Sequence, residues 1–145
     1  MSATHQFDAL TVLRDIDDGA ETATADETGI LFPVRFSGLF EVVINITAID
    51  AASGNETYVL VVDVDSLAAF SDAPVEVARK TVDKATAMPA EVRIPLASDD
   101  IARLDSNAAA IRVGLEAGGT TPSITYGAWI APAAAGARAK AAEYA

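Results

Sequence analysis

The chain has 145 residues, no cysteine, one histidine, and ten Lys and Arg against 21 Asp and Glu, giving a net charge of −11 and a pI near 4.3. That length suits one domain that buries about two thirds of its surface, and the missing cysteine excludes a disulfide framework and a thiolate site. The acidic balance sets the protein's field against phosphate, so nucleic acid is not an expected partner. Hydrophobic residues make up 51% of the chain but aromatics only 6%, a profile that fits a folded domain rather than general disorder. No apolar run approaches the 18 residues of a membrane span, so no membrane partner is expected. Met1 to Asp8 lacks a basic and an apolar signal region, so a cytoplasmic setting is expected.

Residues 1–30 form an acidic segment, in which Asp8, Asp15, Asp17, Asp18, Glu21, Asp26 and Glu27 face Arg14 alone. Short strands are predicted near Ala9–Leu13 and Ile30–Phe36. Leu39–Ile49 alternates over a long stretch, with Phe40, Val42, Ile44, Ile46 and Ala48 on one face and Glu41, Asn45 and Thr47 on the other. After the turn-rich Asp50–Glu56, Thr57–Asp65 places Tyr58, Leu60, Val62 and Val64 on one face. These two strands read as the clearest hairpin of the chain.

Ser66–Phe70 suits a single turn, and Val75–Val82 is a strand interrupted by Arg79 and Lys80. Glu91–Leu96 alternates cleanly, and Pro95 assigns it to an edge or a strand end because proline cannot donate to a ladder. Ser98 is placed to cap a short helix over Asp99–Leu104, with acids in its first turn. Strands follow at Ala110–Glu116 and Ser123–Ala131, separated by a turn at Ala117–Pro122 and closed by Pro132. Ala134–Tyr144 has helix propensity but no apolar stripe beyond alanine. Seven or eight strands with little helix predict an all-β antiparallel sandwich, jelly-roll-like, with an extended N-terminal segment and a short Ala-rich tail. Residues 1–132 are the expected domain, and residues 133–145 the tail.

Catalytic constellations are not found. His5 reads as a solvated terminal residue, and one histidine without cysteine cannot assemble a His/Cys metal site. Asp15–Glu21 looks like the start of a calcium loop. Counted from Asp15, however, an EF-hand would need a ligand at Gly19, a glycine at Ala20 and a glutamate at Asp26. Asp63 and Asp65 share strand parity and read as a hydrated sheet face, not a glycosidase pair. Gly114–Gly119 fits neither a dinucleotide nor a phosphate-binding loop. The sequence therefore suggests no enzyme, no cofactor and no metal. Tyr126 falls with Ile124, Ala128 and Ile130 on the core side of the last strand. Trp129 falls on the other side with Thr125 and Gly127, as a cover for a patch or an interface residue.

The stretches Phe36–Asp50 and Ala52–Val62, the segment Ser66–Ser71 and the closing strand Ile124–Pro132 together resemble the capsid decoration, or cement, proteins of tailed bacteriophages. The resemblance covers about residues 7–132 and consists of strand and turn patterns. It implies a jelly-roll-like sandwich on the outer surface of the virion head, assembled in the bacterial host cytoplasm. Its partners would be the major capsid protein and further copies of itself, often as a trimer, with no catalytic residues. The acidic Asp15–Glu27 stretch and the tail from Ala133 depart from that pattern. They are candidates for the chain's own contacts, with Trp129, Arg138, Lys140 and Tyr144 as the expected partner-binding residues. The alternative is a ligand- or carbohydrate-binding sandwich of a phage tail or spike, which would need an aromatic-lined groove.

Overall fold

A computed structural model describes residues 11–32 and 38–132. It is a sandwich of two antiparallel sheets. Sheet I contains β5 (Leu39–Ile49), β8 (Ala90–Ala97) and β10 (Ile124–Pro132), with β10 and β8 on either side of β5. Sheet II contains β6 (Thr57–Asp65), β7 (Val75–Thr81) and β9 (Ala110–Gly118), with β9 and β7 on either side of β6. One helix, α1 (Ser98–Leu104), links β8 to β9. Among the described residues no helix is long and apolar enough to cross a membrane.

The acidic N-terminal segment is built into the fold as a strap. Its strands β1 (Val12–Arg14) and β2 (Ala20–Glu21) pair with β10, along the free edge of sheet I. It then crosses to sheet II, where β3 (Ala25–Asp26) and β4 (Ile30–Leu31) pair with β9. Of the expected strands near Ala9–Leu13 and Ile30–Phe36, the described residues show Val12–Arg14 and Ile30–Leu31, and residues 9, 10 and 33–36 lie outside the described part. The two sheet edges on this side are covered, as exposed strand edges usually must be.

Period-two patterning explains the core. Val42, Ile44 and Ile46 of β5 and Tyr126, Ala128 and Ile130 of β10 face inward, each fully buried. They meet Tyr58, Leu60, Val62 and Val64 of β6 and Ile111, Val113 and Leu115 of β9. Ala48 does not join them. The register of β10 skips Thr47, pairing Thr125 with Ala48 but Tyr126 with Ile46. This bulge reverses the parity, so Ala48 is exposed and Ile49 packs on the core instead.

Three further expectations are corrected. β5 and β6 are not a hairpin: β5 pairs with β8 and β10, β6 pairs with β7 and β9, and Asp50–Glu56 carries the chain from one sheet to the other. Both strands have an apolar face, and they satisfy it by facing each other across the core rather than lying side by side. Ser98 does not cap α1. Ala97 holds the cap position with no side-chain bond, and Ser98 ties the helix start to β5 through Ser98 N–H to Gly38 O at 2.8 Å and Gly38 N–H to Ser98 Oγ at 3.0 Å. The interrupted strand at Val75–Val82 is continuous over Val75–Thr81, with a bulge that lets Val75, Val77 and Ala78 all pack on the core. β8 is an edge strand, as Pro95 indicated.

Candidate functional site

Trp129 lies on the outer face of sheet I, where its register neighbours are Val12 on β1 and Val43 on β5. Its ring is 7% exposed and Val43 is fully buried, although both face away from the core between the sheets. Glu41, two residues along on the same face, is also buried and paired with Arg93 at 3.2 Å. Beside Trp129 is a cleft of about 170 Å³ lined by Val12, Ile16, Asn45 and Gly127. It is mostly apolar and shallow. Arg138, Lys140 and Tyr144, the other expected partner-binding residues, lie outside the described residues, as does His5.

The strap is held by two arginines. Arg14, the single base of the acidic segment, is buried at the strap's crossing point. Its guanidinium donates to Glu21 at 2.9 Å, to Glu27, to Gly19 O at 2.8 Å and to Tyr126 O at 3.1 Å. It also stacks on the Tyr126 ring, 4.7 Å from the centroid. Burial works against the Arg14 charge, but the hydrogen bond and charge of Glu27 outweigh it and hold the guanidinium more firmly protonated. For Glu27 the balance is the reverse. Burial pushes its carboxyl up by more than Arg14 pulls it down, and the nearby Glu21 and Asp18 charges add to the rise. Burial likewise raises the Tyr126 phenol, reinforced by the charge of Glu27.

The second clasp is on sheet II. Arg112 of β9 pairs with Asp26 of the strap at 3.1 Å and with Asp63 of β6 at 3.2 Å, and its other side lies over the Phe70 ring at 4.4 Å. Burial raises the Asp63 carboxyl beyond what Arg112 offsets, with Asp26 and Glu76 adding to it. Three glycines make room for these contacts. A Cβ on Gly114 would meet the Asp26 carboxylate, one on Gly127 would stand 3.1 Å from Ile16 Cβ, and one on Gly29 would strike the Phe70 ring. The strap therefore lies in notches that the sheets and the Ser66–Pro74 loop leave for it.

The carboxylates with possible chemistry are occupied by architecture. Asp15 accepts from Asp17 N–H at 3.0 Å and Asp18 accepts from Asp15 N–H at 3.2 Å, so the would-be calcium loop is a self-capped turn over Ile16–Asp18. Asp65 is not on a hydrated face. It is fully buried and accepts from Ser66 N–H at 2.7 Å and Asp72 N–H at 3.0 Å, holding the base of its loop. Glu56 is buried at the opposite end of the sandwich. Burial raises its carboxyl, but donors from its own backbone, Ser53 and Thr121 overcome this and leave it below the ordinary carboxylate range. Tyr58 and Lys84 fasten the same end: the phenol donates to Asp50 O at 2.5 Å, and the ammonium donates to Gly54 O and Glu56 O at 2.7 Å each.

Sequence reasoning missed Arg14, Glu56 and Asp65 as buried groups. Only Arg14 carried a signal, as the one base among seven acids. No protein family, curated protein or solved structure matches the chain.

Proposed function

We propose that the chain is a structural virion protein, a decoration or cement subunit that binds the outer surface of a tailed-phage head shell and stabilises the lattice of its major capsid protein. The reading starts from the family resemblance of Phe36–Asp50, Ala52–Val62, Ser66–Ser71 and Ile124–Pro132. The strand order is the observation that carries it further. With β1 and β2 as one row and β3 and β4 as another, the sheets run β1/β2–β10–β5–β8 and β3/β4–β9–β6–β7. The chain changes sheet at each step except from β6 to β7, an order that supports the jelly-roll reading the resemblance implies.

A cement subunit works by being rigid and by presenting fixed surfaces, and the fold is suited to that. Its strap closes one side with two arginine clasps, and its loops are pinned by Tyr58, Lys84 and Asp65. The net charge of −11 keeps free copies apart in solution and favours a basic binding surface on the shell. A homotrimer is the expected form on the lattice. The carbohydrate-binding alternative requires an exposed aromatic groove, and the burial of Trp129 does not favour it. The test is co-sedimentation of the purified protein with expanded heads that lack it. Saturable binding at low salt supports the proposal, and absence of binding refutes it.

A further inference from the structure

Asp18–Gly19 is the one place in the chain where an aspartate or asparagine precedes a glycine. At such a link the following amide nitrogen reaches the side-chain carboxyl most easily, because glycine has no β-carbon to crowd the approach. The aspartates of the other turns are shielded twice. Asp50, Asp83 and Asp105 precede Ala51, Lys84 and Ser106, and each carboxylate is held by the N–H two residues on, at 2.8, 2.9 and 2.9 Å. Asp65, before Ser66, is fully buried.

Asp18 has neither shield. It and Gly19 are exposed. Its carboxylate turns back to Asp15 N–H at 3.2 Å, the long end of the hydrogen-bond range. Gly19 has φ 86° and ψ −169°, and a Cβ built there would meet nothing within 4 Å. The turn over Ile16–Asp18 spans three residues and none of them is buried. It therefore opens locally without disturbing the core, and that frees the carboxyl to swing towards Gly19 N.

The same link is a bearing point of the strap. Gly19 O accepts from Arg14 Nη2 at 2.8 Å. The next two residues, Ala20 and Glu21, pair with Thr125 and Ile124 of β10, and the Glu21 carboxylate accepts from Arg14 Nη1 at 2.9 Å. Three attachments thus follow within two residues of the Asp18–Gly19 bond.

We infer that Asp18–Gly19 is a site of spontaneous isomerisation, and that its conversion to an isoaspartyl link releases this part of the strap from Arg14 and β10. Gly19 N attacks Asp18 Cγ. The amide proton and the carboxyl hydroxyl leave together as water, and a succinimide ring closes. Water then adds to one of the two ring carbonyls. Opening at the side-chain carbonyl restores aspartate. Opening at the main-chain carbonyl leaves the chain running through Cβ and Cγ, with the α-carboxylate of residue 18 standing free. No atom is gained or lost overall, but the backbone is one carbon longer. That carbon displaces Gly19 O from Arg14 and moves Ala20–Glu21 out of register with β10. The reaction needs no enzyme and no partner.

The test stores the full-length protein and an Asp18→Glu variant at physiological temperature and near-neutral pH. Glutamate keeps the carboxylate but would have to close a six-membered imide, a far slower step. Isoaspartate is counted by enzymatic methylation of its free α-carboxylate and located by fragmentation mass spectrometry. A peptide of residues 15–21 stored alongside serves as the positive control. Amide exchange of β2 in each stored protein is compared with that of its own fresh sample. Isoaspartate should accumulate at residue 18 in the wild type, with loss of protection in β2, and neither change should occur in Asp18→Glu. A wild type that forms no isoaspartate at residue 18 while the peptide does overturns the site. Isoaspartate at residue 18 with unchanged exchange in β2, or an equal loss of protection in stored Asp18→Glu, overturns the release of the strap.

Discussion

Replacing Arg14 with Met retains an apolar stem over Tyr126 and removes the guanidinium that closes the strap. Four acceptors lose their donor at once: Glu21, Glu27, Gly19 O and Tyr126 O. Breaking a buried ion pair from one side costs about 3–5 kcal/mol, because the partner charge stays behind in a poor environment. Glu27 is that partner, with its side chain 15% exposed, whereas Glu21 at 27% recovers part of its hydration. We therefore expect Arg14→Met to lower unfolding stability by about 3 kcal/mol at neutral pH, near the lower end of that range. The loss should also depend on pH. The Glu27 carboxyl is already raised in the folded protein by burial, and without Arg14 it rises further. A carboxyl raised on folding contributes stability that is full below its unfolded value and is lost as pH rises through its folded value. The penalty should thus shrink at pH 5 relative to pH 8, and Glu27→Gln in the same background should recover at least about 1 kcal/mol, the size of one relieved buried group. Urea titrations at both pH values measure this. Hydrogen exchange should localise the damage to Glu27 N–H, which bonds Val113 O, and Ile130 N–H, which bonds Thr11 O. A loss below about 1 kcal/mol, the scale of an exposed pair, or a penalty equal at the two pH values, refutes the clasp.

Other parts of the architecture are as open to test. Gly29→Ala drives a Cβ against the Phe70 ring and to 2.7 Å from Ala68 O, so it should cost about 1–3 kcal/mol in urea unfolding, as overpacking does; an unchanged midpoint would contradict the notch. Tyr58→Phe removes the phenol shared by Asp50 O and Ser123, and should cost about 1–2 kcal/mol with an unaltered denaturant slope. Asp63 is raised by burial more than Arg112 lowers it, so its contribution falls away as pH rises from the ordinary carboxylate range near 4 through its folded value. Asp63→Asn should accordingly flatten the loss of stability between about pH 4 and 7, and a steeper profile in the variant would show the sign to be wrong.

What the sequence made legible was the alternation of apolar residues within each strand. The inner faces of β5, β6, β9 and β10 follow it almost residue by residue, and Pro95 marked an edge. Pairing between strands was less legible. Two long amphipathic strands joined by seven residues fit a hairpin and a crossover between sheets equally well, because both bury the same faces. The bulge at Thr47, which exposes Ala48, is a property of the partner's register and leaves no mark on the β5 pattern itself. The strap was hardest to see. Its strands span two or three residues, too few for a period, and its hold depends on Arg14, Arg112 and three glycines scattered from residue 29 to 127. Asp65 illustrates the limit of parity: its position in the strand matched Asp63, yet the loop beyond it folds back over the carboxylate and buries it. On β10, alternation correctly separated Trp129 from Tyr126 but carried no information on how deeply Trp129 is covered.

We propose that this sandwich holds a head shell together. The thermal or mechanical stability of expanded, undecorated heads with and without added protein, read alongside co-sedimentation, decides it. Saturable binding at low salt is expected, weakening as salt screens the contact, together with a rise in the temperature at which the heads release their contents. Heads that neither bind the protein nor gain stability from it would contradict the proposal.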